Sequence, residues 1–325
     1  MPAPDDPPPF DLSRFRTKPL SGREHKVETG RFAKPVGPEA SAADFVASLP
    51  DFLGATALRG LAQAIATSRA AGKPVLWGMG GHVVKVGLAP VLLDLADRGF
   101  AQGFVMNGAA AIHDAEIALH GATSEDVGAG LFEGEYGNAE ETGTLFAEAA
   151  AAAASRGGGL GPALGDALLA RRPAHEALSL LCRARRARIP VTVHVAVGTD
   201  TVHMHPACDG ATLGAATHVD FRRLASLVEG MDGGAYVNVG SAVLLPEVFL
   251  KAVALVHNAN PGRRVRLTTG NLDFLKHYRP RVNVVERPAE KGYDLTGHHE
   301  ILLPLLRVAI LAAAAAGAGR PGAPS

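Results

Sequence analysis

Apolar residues along this chain follow two rhythms. Short, nearly continuous apolar runs end in glycine or a polar residue at 74–79 (PVLWGM), 103–107 (GFVMN), 190–197 (PVTVHVAV), 235–239 (AYVNV) and 264–269 (RVRLTT). Runs without an apolar/polar alternation are what a strand buried on both faces needs, so all five predict strands of a parallel sheet. Between them the spacing changes to a helical period over 88–98, 110–120, 139–154, 174–188, 218–229 and 246–258. Strands that alternate with helices imply an α/β fold, a mostly parallel sheet with helices on both faces.

The first 40 residues carry repeated prolines and charges without an apolar period, and predict an extended arm that wraps a neighbour or stays mobile. Order is expected from Ser41, where Ser41 and Asp44 have the spacing of a capping box and Phe45, Leu49, Phe52 and Leu53 supply an apolar face. A single domain over 41–317 follows, with a tail at 318–325. The glycine patch at 157–161 reads as a flexible joint between two halves of one sheet. Residues 301–316 are strongly apolar but are interrupted by Pro304 and Arg307. They fall short of the ~20 residues that span a bilayer, so a packed terminal helix is expected. Glu133, Glu135, Glu140 and Glu141 read as one solvated helix face.

Charge narrows the function classes. Lys plus Arg and Asp plus Glu both number 32, so no overall field gathers nucleic acid or an anionic membrane, and a small-molecule substrate is expected. Two cysteines, Cys182 and Cys208, stand outside any zinc-finger or CxxC spacing and suit a reducing, cytoplasmic setting. The start MPAPDDPPPF is acidic and proline-rich rather than basic and then apolar, which predicts no signal peptide.

Ligands of open parallel sheets bind at the carboxyl ends of the strands. The first strand leads into Gly80, Gly81, His82 and Lys85, the second into Asn107, Gly108, Ala109, Asp114 and Glu116. The third leads into Asp200, His203, His205, Asp209 and Gly210, the fourth into Gly240 and Ser241. Glycines let backbone amides approach a phosphate, the next helix offers the positive end of its dipole, and Lys85 is placed to neutralise an oxygen. Together these loops predict a dinucleotide site, although GxGxxG is absent. Ser241 lacks the GxSxG setting of a nucleophile.

At these loops the chain resembles the deoxyhypusine synthase family over about 70–300. GGHVVKVG stands where that family has an SNxxSSG-like loop, NGAAAIHDAE where it has TAGGxEED, and CDGATLGA where it has TDGSLGD. The resemblance implies a Rossmann-like NAD-binding enzyme that assembles as a homo-oligomer, a dimer or tetramer. It also implies cofactor contacts from Gly81, His82, Lys85, Asn107, Gly108, Ala109, Asp209, Gly210, Gly240 and Ser241. Substrate contacts are expected from Asp114, His203 and Glu247. The departures are specific: Ala215 replaces an aspartate, residues 240–247 lack the histidines of GGGxxKHH, and TGHHE replaces the WGK that carries the imine-forming lysine. An imidazole has no primary amine and forms no Schiff base. What the resemblance leaves is NAD-dependent oxidation or group transfer on a small amine or polyol-like substrate, with His298, His299, His205 or Glu116 as the catalytic acid or base.

Two other readings stay open. The pair His203 and His205, with His298, His299 and Glu300, would suit a metal-dependent hydrolase, although no ligand spacing marks a metal site. A non-catalytic nucleotide-binding protein would use the same glycine turns.

Overall fold

The runs VLWGM, GFVMN, VTVH and AYVNV are buried along their length apart from one half-buried terminal residue, Asn107, and each forms a strand with helices against both faces. The computed structural model describes residues 6–318, so the ends of the expected arm and tail, 1–5 and 319–325, lie outside the described residues. Six strands, β1 (Val75–Met79), β2 (Gly103–Asn107), β3 (Val191–His194), β4 (Ala235–Val239), β5 (Thr268–Asp273) and β6 (Lys291–Thr296), form one sheet in the order β3-β2-β1-β4-β5-β6. Every neighbouring pair is parallel. The order reverses between β1 and β4, which makes their carboxyl ends the topological switch point of the sheet.

Twelve helices matter to the site: α1 (Ala42–Ser48), α2 (Leu53–Ala70), α3 (Gly81–Lys85), α4 (Ala89–Asp97), α5 (Gly108–His120), α6 (Val127–Glu133), α7 (Glu140–Ser155), α8 (Leu160–Arg171), α9 (Leu180–Ala187), α10 (Gly210–Glu229), α11 (Leu244–Ala259) and α12 (His299–Ala318). Alternate residues of β1 serve two cores. Val75, Trp77 and Met79 join α2, α4, α5 and α12 in the larger one, while Leu76 joins Tyr236 and the apolar faces of α10 and α11 in the smaller. That division is the side-chain period of a strand covered on both faces.

Local chemistry sets the helix starts. Ser41 and Asp44 form the capping box predicted for α1, but Val46 is the residue that faces inward, and Leu53 is 91% exposed. Helix α12 is long and apolar enough to cross a membrane by composition. It packs against α2, burying Leu303, Leu306, Ala309 and Ile310, and its Arg307 bonds Asp94 at 2.7 Å.

Three expectations are corrected, and one strand is added that was not expected. The fifth strand lies at 268–273, not 264–269: Val265 and Leu267 are buried from the loop before it, and the strand itself carries Asn271 and Asp273. Strand β6, KGYDLT, is a polar edge strand without the apolar run that marks the others. The glycine patch is no joint, because Gly161 N–H donates to Asp220 at 2.7 Å and a Cβ there would lie 2.4 Å from the Val191 carbonyl. The four glutamates do not share a face: Glu133 ends α6, Glu135 is in the loop, and Glu140 and Glu141 start α7.

Candidate functional site

At the switch point the turns after β1 and β4 touch. Gly80 N–H donates to the Val239 carbonyl at 2.9 Å, and a Cβ on Gly80 would stand 2.1 Å from the Gly240 carbonyl oxygen. Gly240 itself has φ +64°, which an L side chain rarely adopts. The turn after β2 adjoins them, since a Cβ on Gly81 would meet Ala109 Cβ at 3.0 Å and His113 Cδ2 at 3.1 Å. Helix α3 begins at Gly81 without a side-chain cap, whereas α5 is capped by Asn107, which accepts from Ala110 N–H at 2.8 Å. The start of α3 thus carries no side-chain cap, unlike that of α5, and Val83 N–H turns back to the Gly80 carbonyl at 3.2 Å.

On the β4 to β6 side of these turns three rings gather. His82 lies 5.5 Å from His299 and 5.9 Å from Phe274 between ring centres, and Phe274 meets His299 edge-on at 5.9 Å. His82 is exposed and His299 fully buried. His299 Nε2 lies 3.2 Å from the Leu272 carbonyl. A carbonyl only accepts, so Nε2 carries the proton and Nδ1 is a lone pair, which is buried without a partner. Burial holds the His299 pKa below the ordinary imidazole value, against the opposing pull of Asp273. Beneath the rings, Asn238 Nδ2 donates to the Ser241 carbonyl at 3.0 Å and to Asn271 Oδ1 at 2.8 Å, and Asn271 donates to Asp294 at 2.9 Å. Ser241 Oγ accepts from Leu245 N–H at 3.2 Å, which ties it to the start of α11.

On the β2 to β3 side lies a cavity of about 740 Å³ between α5, residues 122–142 and residues 199–201. Its walls mix Ala109, Ile112, Leu119, Val127 and Tyr136 with Lys85, His113, Glu116, Glu141 and Asp200. Thr123 donates to Glu116 and accepts from His113 Nδ1 at 2.7 Å. Burial raises the Glu116 pKa, but the bonds from His113, Thr123 and Thr142 outweigh it and leave the carboxylate below its ordinary value. Asp200, present in the loop after the third strand but given no role by the sequence, sits over the start of α5: a Cβ on Gly108 would lie 2.0 Å from its Oδ2. Its side chain is 7% exposed, and Oδ2 has no hydrogen-bond partner. His203 stands behind it, Nε2 3.8 Å from Oδ2, with Nδ1 accepting from the Gly198 and Asp200 amides at 3.1 and 3.3 Å.

Of the predicted residues, Gly81, His82, Ala109, Gly240, Ser241 and His299 come together at the switch point, and Lys85 and Glu116 line the neighbouring cavity. Asn107 is spent on capping α5. Gly108 adjoins Asp200. The expected convergence of a fourth turn does not occur. Asp209 is the exposed N-cap of α10, accepting from Ala211 and Thr212 N–H at 3.1 Å each, and Gly210 faces open space. The helix runs two turns beyond its predicted start, so Asp209 and Gly210 are carried away from the strand ends. Asp114 is not a substrate contact: it is 1% exposed and accepts from Ser179 Oγ and from the amides of Leu180 and Leu181 at 2.6, 2.7 and 3.0 Å, capping α9. Glu247 is held by Lys251, Arg279 and Asn283. His205 packs over Gly143 of α7, so it parts from His203, and His298 is 70% exposed beside Glu300. Among the described residues, no three His, Cys, Asp or Glu side chains gather as metal ligands. The histidine pairs therefore do not assemble the site that a metal-dependent hydrolase requires.

No family model and no curated protein matches the chain. Solved structures similar to it include the ternary complex of AgrE with ornithine and NAD+, at 14% identity and a TM-score of 0.51 over 78% of this chain and 32% of that one. The likeness is one of fold. A conserved putative LOR/SDH protein from Methanococcus maripaludis S2 also has 14% identity and a TM-score of 0.51, over 89% of this chain and 75% of that one. A putative deoxyhypusine synthase from Entamoeba histolytica matches at 11% identity and a TM-score of 0.47, over 86% of this chain and 96% of that one. The chain spans about a third of the length of AgrE.

Proposed function

We propose that this chain is a NAD-dependent enzyme that oxidises, or transfers a group on, a small amine or polyol-like substrate. One observation carries the reading: in a parallel sheet ordered β3-β2-β1-β4-β5-β6, the glycine turns after β1 and β4 touch at the switch point. The residues there fit a dinucleotide. Lys85, at the end of the short helix after the β1 turn, lines the neighbouring cavity and is placed to meet a phosphate oxygen. The contact between Gly80 and Gly240 leaves no room for a side chain and brings the two backbone turns together. The AgrE complex, which shares this fold, contains NAD+ and ornithine.

Bound NAD supplies a hydride acceptor. His299 is our candidate for taking the proton the substrate releases: burial holds its pKa down and Nδ1 is unengaged, and the fully buried ring is reached once His82 or Phe274 moves off it. The Leu272 carbonyl holds its tautomer. His82 and Phe274 flank it and shape the substrate position. With His298 exposed and no lysine in its place, an imine-linked intermediate is not part of this reading. We also place the protein in the cytoplasm as a homo-oligomer. The arm supports an oligomer, since Phe10, Leu12 and Phe15 are all at least 69% exposed. Isothermal titration with NAD tests the central claim: saturable binding at one site per chain is expected, and a folded sample that takes up no NAD overturns it.

A further inference from the structure

The cavity on the β2 to β3 side calls for an occupant, and its position relative to the switch point names one. In doubly wound dinucleotide sites the pyrophosphate sits at the first strand-to-helix turn, and the adenosine ribose meets an acid at the end of the second strand. Here the end of β2 offers only Asn107, which is spent on its own helix. A carboxylate nevertheless stands there, because Asp200 reaches across from the loop after β3 and lies on Gly108. It is a costly arrangement. The side chain is more than nine-tenths buried, lines the cavity, and keeps an oxygen without a hydrogen-bond donor. His203, equally buried, has its Nε2 unpaired beside it. A buried acceptor at a cavity wall is satisfied when a ligand brings the donor.

We propose that the cavity takes the adenosine half of the dinucleotide and that Asp200 accepts from the ribose hydroxyls, which makes the site selective for NAD over NADP. The inference rests on the NAD reading above and adds the cofactor's direction and the residue that discriminates. The walls agree with it: Ile112, Leu119, Val127 and Tyr136 offer an apolar bed for a purine, and the polar wall by Asp200 is the one closest to the turn of β2. A 2′-phosphate would meet the Asp200 carboxylate, whose one ionisable neighbour, His203 at 3.8 Å, already faces it, and no Lys or Arg among the described residues pairs with it. Repulsion and the lost hydrogen bond act in the same direction. His203 is a positioning residue, because its Nδ1 is fixed by two backbone amides and its ring backs the carboxylate.

Calorimetric titration of the full chain with NAD, NADP and ADP-ribose, for the wild type and for Asp200→Asn, tests this. The wild type is expected to prefer NAD by about tenfold or more, to bind ADP-ribose, and to lose most of the preference in Asp200→Asn through weaker NAD and stronger NADP binding. Asp200→Ser serves if the asparagine variant does not fold. NAD binding with no preference over NADP, or a preference that both variants keep, overturns the assignment of Asp200 and leaves the NAD reading standing. Failure of the folded wild type to bind either dinucleotide overturns both.

Discussion

The two halves of the strand-end rim are built to opposite rules. On the β4 to β6 side, Asn238, Asn271, Asp273 and His299 are buried and each bonds a neighbour or the backbone, so they are held in place before anything binds, with Asn238 Oδ1 and His299 Nδ1 left unpaired. On the β2 to β3 side the wall formed by residues 122–138 is almost wholly exposed, and the fixed groups, Glu116 and Asp200, stand on a wide cavity. A dry, prearranged half suits chemistry, where position matters within fractions of an ångström. A wide, walled half suits recognition. The contact of Gly80 with Gly240 joins them.

The largest effect that would test this division is on turnover. Replacing His299 by Gln should lower the rate of NAD reduction by on the order of 10²–10⁴, while NAD affinity by titration changes little. Equal loss of both would erase the distinction between the halves. Asn238→Ala, in the dry half, removes the donor to Ser241 and Asn271 and should cost about 2–3 kcal/mol in chemical denaturation. The β2 to β3 half should carry more of the pH dependence. Burial pushes Asp114 and Asp220 up to about 6, so the folded chain keeps protons that the unfolded chain releases between about 4 and 6. The stability each contributes is full below that window and lost as pH rises through it. The penalty of Asp114→Asn relative to wild type should therefore shrink by on the order of 2 kcal/mol from pH 4 to pH 7. His194, pushed down to about 3 by burial, acts oppositely, and comparing variant with wild type at each pH removes its effect. Smallest of all, Phe132→Ser on the 92% exposed face of α6 should shift stability by no more than about 0.5 kcal/mol.

Much of this was legible in the sequence, for a physical reason. Strands buried on both faces leave continuous apolar runs, and four of the six strands announce themselves that way. The two at the β6 edge do not. TTGNLD and KGYDLT satisfy polar side chains with one another, Asn271 with Asp294, and such a ladder has no apolar signature. The same limit governs the site. Glycines after strands pointed to Gly81 and Gly240, and TGHHE to His299. That Asp114 caps a helix 65 residues away, or that Asp200 folds back onto Gly108, depends on contacts between distant segments. One signal was available for Asp209: an aspartate before Gly-Ala-Thr has the form of an N-cap, which places it at the start of α10.

The chain carries a single tryptophan, Trp77, in the middle of β1, with its ring fully buried and its indole N–H bonded to the Phe100 carbonyl at 2.9 Å. Its emission reports on the strand that leads to the switch point, and only on that strand. Loss of the sheet will move that emission to the red as water reaches the indole. If NAD binds as proposed, its reduced form should instead quench that emission by energy transfer, so one spectrum would separate unfolding from occupancy.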